Sequence, residues 1–166
     1  INHQSKKRIM LKIITTLSLF LIGMLAKGQE AENRELSSFS KVEVKNGIEV
    51  VYNESKIPSL RVEVENVSVL KKIITEVNGK TLKIYLLKNE DQTVRENTIK
   101  VYLSAQNVSS FDVHSNSKIS VMNQITSENL NIDLKSKGQL SGTIICNGKT
   151  KLVANSGTIF NGRVET

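Results

Sequence analysis

Three stretches, "FDVHSNSKISV" at Phe111–Val121, "LNIDLKSKGQL" at Leu130–Leu140 and "TKLVANSGTIF" at Thr150–Phe160, share one pattern. Each opens with alternating apolar and polar residues, passes a small polar corner and resumes the alternation. Their starts lie 19 and 20 residues apart. In this alignment Val113, Ile132 and Leu152 share a column, as do Ser115, Leu134 and Ala154, then Ser117, Ser136 and Ser156, then Val121, Leu140 and Phe160. Period-two alternation marks a strand with one buried face, because successive side chains point to opposite sides. Strands of this kind recurring every 19–20 residues predict an all-β chain, a β-solenoid of the parallel β-helix type with one rung per repeat. Equivalent side chains would then stack ~4.8 Å apart. Gly138, Gly157 and the asparagines suit tight corners between strands.

Upstream of Ile99 the same alternation appears without the repeat. Val42 and Val44 alternate with Lys41, Glu43 and Lys45; Asn46–Gly47 follows, then Ile48, Val50 and Tyr52. Two alternating runs joined by Asn-Gly predict a hairpin, since both turn residues tolerate positive φ. Asn78–Gly79, between Val77 and the run Leu82, Ile84, Leu86, predicts a second. "LRVEVE" and "TIKVYLS" add strands, "SVLKKII" fits one or two helical turns, and Pro58 belongs in a loop. This hairpin and strand region is expected to cap the first rung.

The net charge of +7 has a local origin. Lys6, Lys7, Arg8, Lys12 and Lys27 fall in residues 1–28, which hold no acid, leaving 18 basic against all 16 acidic residues beyond them. No basic patch with interleaved aromatics remains, so a nucleic-acid partner is not expected. The cationic start, the apolar Ile13–Leu25 and the small-residue exit Ala26–Lys27–Gly28 predict a helical signal peptide, cleaved at Gly28–Gln29. As a helix that segment spans only ~20 Å at ~1.5 Å per residue, short of a bilayer core of ~30 Å. No stable transmembrane anchor is therefore expected once the leader is removed. Met10 is the expected start, with residues 1–9 upstream of it. The organisation is then 1–28 leader, 29–38 linker and 39–166 β-domain. The break at Thr166, in mid-repeat, leads to the expectation that further rungs follow. Cys146 is the only cysteine, so no intramolecular disulfide forms, and its place between Ile145 and Asn147 predicts a buried thiol.

The order "FSKVEVKNGIEVVY" (39–52), "EVNGKTLKIYL" (76–86), "TIKVYLS" (98–104) and then serine- and glycine-cornered repeats resembles the auto-transporter adhesin, head GIN domain family. The resemblance covers about residues 38–166. The corners "SNSK", "KSKG" and "NSG" stand where that family tends to have Gly-Ser-Gly. The resemblance implies an exported bacterial envelope β-solenoid located in the periplasm, on the outer membrane or outside the cell.

Little in the sequence points to chemistry. In the alignment His114 falls one rung from Asp133, both outward, and an imidazole beside a carboxylate can serve as a general base. The same contact is also an ordinary surface ladder pair worth ~0.2–1 kcal/mol. The neighbouring outward column is Asp112, Asn131 and Lys151, the expected binding stripe. Glu90 and Asp91 are adjacent, but neither an EF-hand spacing nor a calcium-binding nonapeptide array surrounds them. Nucleotide-binding glycine motifs are absent, and neither a metal nor a cofactor is expected. The sequence therefore predicts a non-catalytic exported protein whose outward columns bind an envelope glycan or surface protein. A polysaccharide lyase or hydrolase on the same scaffold, using His114 and Asp133, is the alternative.

Overall fold

The computed structural model describes residues 28–87, 97–155 and 157–165. Residues 1–27 of the predicted leader, the Glu90–Asp91 pair and Ser156 lie outside the described residues. In chain order the elements are β1 (Glu30–Arg34), β2 (Lys41–Val44), β3 (Glu49–Glu54), β4 (Ser59–Val64), α1 (Val67–Leu70), β5 (Ile73–Asn78) and β6 (Thr81–Leu86). There follow β7 (Ile99–Ala105), β8 (Ser110–Val113), β9 (Lys118–Ser127), β10 (Leu130–Leu134), β11 (Gln139–Cys146), β12 (Thr150–Ala154) and β13 (Ile159–Glu165). They form two mixed sheets, ordered β1-β4-β7-β3-β9-β11-β13 and β12-β10-β8-β2-β6-β5. Five chain-consecutive pairs (β2/β3, β6/β7, β8/β9, β10/β11 and β12/β13) each place their first strand in the six-stranded sheet and their second in the seven-stranded one. These ten strands pair in parallel within each sheet. Antiparallel strands appear at one edge, where β5 closes the smaller sheet and β4 and β1 close the larger.

The alternation read from the sequence sorts the side chains. Val42, Val44, Phe111, Val113, Ile132 and Leu134 of one sheet and Val50, Tyr52, Val101, Ile119, Leu140 and Ile144 of the other join one buried core. The rings of Tyr52 and Phe111 meet edge-to-face across it, with centroids 5.4 Å apart. Each such aliphatic or aromatic side chain contributes ~1.5–3 kcal/mol on burial. Cys146 is a free, buried thiol whose Sγ lies 3.5 Å from the Glu128 carbonyl.

Four local expectations change. The predicted Asn46–Gly47 hairpin is not one: β2 and β3 lie in different sheets, and the turn is a corner between them. Its φ values of 67° and 74° recur at Ser115–Asn116 (51° and 61°) and Ser136–Lys137 (47° and 64°). The corners also bond to one another, Gly47 N to Ser115 O at 2.9 Å and Asn116 N to Ser136 O at 3.0 Å. A left-handed dipeptide reverses the chain either way; lateral partners β6 and β8 hold β2 in its own sheet. The Asn78–Gly79 hairpin does form, between β5 and β6.

The second change is register. β10 and β12 pair as aligned, Ile132 with Leu152, but Phe111 pairs with Ile132 and Val113 with Leu134, a slip of two residues. β9 absorbs the difference in a bulge. Ser120 pairs with Ser141 and Gln124 with Thr143, leaving Val121–Asn123 opposite Gly142 alone. Gly142 has φ 141°, and a Cβ there would lie 2.4 Å from that of Val121. Third, the strand order is not sequential, since β6 and β7 lie on the far side of β2 and β3 from β8 and β9. Fourth, the stretch predicted as a linker carries β1. The proposed helical turn is α1, capped by Asn66, whose side chain accepts from Ser68 N at 3.0 Å.

Candidate functional site

The outer face of the six-stranded sheet gathers the charged residues of the central strands. Parallel pairing aligns them in rows running across the strands. One row is Lys151, Asn131, Ser110, Lys41 and Thr81. The next is Val153, Asp133, Asp112, Glu43 and Lys83. A third, just past the strand ends, holds Lys135, His114 and Lys45, set by backbone bonds from Lys135 N to Val113 O, His114 N to Val44 O and Lys45 N to Ile84 O.

Three adjacent carboxylates would repel if bare. Each instead meets a base two residues along its own strand, on the same face. Lys45 pairs with Glu43, His114 Nε2 lies 2.7 Å from Asp112 Oδ1, and Lys135 Nζ lies 2.5 Å from Asp133 Oδ2. The His114–Asp112 contact is close but lacks hydrogen-bond alignment. The Asp133 hydrogen bond raises the Lys135 pKa most; partial desolvation opposes it, and the Asp112, Asp133 and Glu43 charges add to the rise. The motif acid-x-base thus occurs on β2, β8 and β10 and their trailing corners, once per strand.

Beside these pairs is a shallow depression of about 270 Å³ lined by Lys41, Ser110, Asp112, Asn131, Ile132, Asp133, Lys151 and Val153. It therefore unites Asp112, Asn131, Lys151 and Asp133, all singled out from the sequence. Their arrangement differs from the alignment. Asp112, not His114, stands beside Asp133, and His114 turns to Asp112. Asn131 and Lys151 pair directly, while Ser110 takes the place expected for Asp112. Lys41, Glu43, Lys45 and Lys135 were not anticipated; the repeated acid-x-base spacing was the readable sign of the last three. Among the described residues no group of three or more His, Cys, Asp and Glu side chains is placed to hold a metal ion. Nor is any helix there long and apolar enough to cross a membrane.

A family model described as "Putative auto-transporter adhesin, head GIN domain" matches residues 38–166, most of the chain. No curated protein matches. Among solved structures, the fold is similar to a "putative adhesin" of Parabacteroides merdae ATCC 43184, with TM-score 0.67 and 11% identity over 82% of this chain and 57% of that one. It is also similar to a "putative adhesin" of Bacteroides fragilis NCTC 9343, with TM-score 0.62 and 17% identity over 84% and 62%. A "Putative lipid binding protein" of Parabacteroides distasonis ATCC 8503 has TM-score 0.59 and 15% identity over 82% and 60%. The chain thus spans about 60% of the length of these relatives. At these identities the likeness is one of fold.

Proposed function

The chain belongs to the head GIN domain family, and from that premise we propose that it is an exported, non-catalytic surface protein that binds a glycan with the outer face of its six-stranded sheet. The parallel strand pairs are, in this reading, rungs of a β-solenoid, exported by the leader and held in the periplasm, at the outer membrane or outside the cell. The observation that carries the binding assignment is the shared depression. Lys41, Ser110, Asn131 and Lys151 supply donors, and the Ser110 hydroxyl and Asn131 amide oxygen supply acceptors, from four strands of one sheet. Such a mixed set suits a hydroxyl-rich chain lying across the strands.

The carbohydrate-active enzyme alternative rests on His114 and Asp133; the sheet sets Asp112 rather than His114 beside Asp133, and two carboxylates are the minimal glycosidase requirement. Both acids here stand side by side on one face, each held by its own base, rather than opposed across a bond. Glycan-array binding by the full chain, repeated with Asn131→Ala, tests the proposal: glycan retention should fall at least tenfold in the variant. Polysaccharide turnover lost in both His114→Ala and Asp133→Asn would replace it with the enzyme.

A further inference from the structure

The charges lining the depression are not equivalent, and the difference selects a ligand class. The acids are engaged: Asp112 faces His114 and Asp133 faces Lys135, while Lys45 on the adjoining strand is taken by Glu43. The Oδ1 atoms of Asp112 and Asp133 are themselves buried from solvent. Lys41 and Lys151 are different. Both line the depression, and among the described residues neither has an ion-pair partner. They stand three strands apart in one row, Lys41–Ser110–Asn131–Lys151, which Thr81 continues beyond Lys41, with a hydroxyl and an amide between them. Three strand steps at ~4.8 Å put their backbones ~14 Å apart. Unpaired ammonium groups on both sides of a hydroxyl-binding pair complement a chain that carries negative charge and hydroxyls along its length.

We infer that the row Lys41–Ser110–Asn131–Lys151 binds an acidic polysaccharide, laid across the strands, with its carboxylates at the two lysines and its hydroxyls at Ser110 and Asn131. This rests on the glycan-binding reading above and names the ligand class for that same face. Lys135 neutralises Asp133, and the Oδ1 atoms of both aspartates face away from solvent, which limits their repulsion of the chain. Val153 adds no charge where the acid row reaches β12, which leaves Lys151 free.

The test measures binding of the full chain to polygalacturonate, alginate and hyaluronate, with fully methyl-esterified polygalacturonate as the uncharged counterpart of the first. At least one acidic polymer should bind, with at least tenfold loss on raising salt from low to about 0.3 M, as screening of exposed charges requires. If polygalacturonate is the binder, its ester should bind at least tenfold more weakly. Lys41→Gln with Lys151→Gln should weaken acidic-polymer binding at least tenfold. Lys100→Gln with Lys118→Gln, an equal charge change on the other sheet, should leave it unchanged. Equal binding of acid and ester, reduced by Asn131→Ala but not by the lysine changes, overturns the acidic class and leaves the glycan-binding face standing. Binding unaffected by any row substitution overturns both. No binding to any of the three acidic polymers overturns the inference, while the neutral members of the glycan array still decide the broader reading.

Discussion

The described residues have two unlike edges. At one, the parallel stack turns antiparallel: β5 covers the end of the smaller sheet, β4 and β1 that of the larger. Arg34 of β1 ties the two closures together. Its guanidinium donates to the carbonyls of Ile73 at 2.7 Å and Leu70 at 2.9 Å, and to Thr75 Oγ1 at 3.1 Å. At the other edge β12 and β13 remain parallel to their neighbours, and Leu152, Ile159 and Val164 are 44%, 51% and 37% exposed. An outermost strand, parallel or antiparallel, keeps the backbone groups of one side unpaired. At the antiparallel edge the strand direction reverses and the half-buried Arg34 guanidinium links the two sheets.

One column of the core makes the contrast measurable. Leu82, Val42, Phe111, Ile132 and Leu152 pair in sequence across five strands. Leu82 is 1% exposed near the closed edge, whereas Leu152 lies on the open one. Leu82→Ala should cost ~2–5 kcal/mol in urea unfolding, as buried leucines do. Leu152→Ala should cost about 1 kcal/mol, because nearly half of its side chain already faces solvent. Equal losses would erase the distinction between the edges.

Arg34→Ala should follow at ~1.5–3 kcal/mol, since the guanidinium makes charge-assisted bonds to buried carbonyls. Hydrogen exchange should speed up at Ile73–Thr75 and leave β10–β13 unchanged. A uniform increase would show that the closure is not local.

The core itself carries a pH signature between the edges. Tyr52 Oη donates to Glu54 Oε2 at 2.8 Å, with the Ala105 carbonyl at 3.0 Å. Burial first, then the hydrogen bond and charge of Glu54, hold its pKa well above the ordinary 10.0. The folded state therefore keeps a proton that the unfolded chain releases. Stability should be full below pH 10 and fall as pH rises beyond it. Tyr52→Phe should lose ~1 kcal/mol at neutral pH through the missing hydrogen bond and show a shallower alkaline decline. An unchanged alkaline slope would remove Tyr52 from the account.

The smallest expected effect lies at the corners. Lys137 sits at φ 64° in the stacked turn where Gly47 has φ 74°. Lys137→Gly should shift stability by no more than ~1 kcal/mol, with relief of left-handed strain opposing the added freedom of the unfolded chain. A larger loss would mean that the lysine side chain, rather than the backbone, holds this corner.

Much of this was readable beforehand at the level of single strands. Val42, Val44, Val50, Ile84, Ile132 and Leu134 are buried where the alternation places them, and Asn78–Gly79 turns the predicted hairpin, whereas Asn46–Gly47 turns a corner between sheets. The site was half legible. Asp112, Asn131, Asp133 and Lys151 do share a face, but their partners were misassigned because the β8–β10 register slipped by two. Val121–Asn123 hides that slip: Asn123 leaves the ladder, its amide bonding the backbone N and O of Glu54, both at 2.9 Å.

By itself, the sequence determined which side of a sheet each residue faces, since a strand's in-out pattern depends only on parity and a one-residue error would turn every apolar group outward. A two-residue slip keeps that parity, so the pattern cannot tell which neighbour on the adjacent strand a residue meets. Lateral hydrogen bonding and the packing of both sheets onto one core decided that. They made Asn46–Gly47 a corner, put β6 and β7 beyond β2 and β3, and set His114 against Asp112.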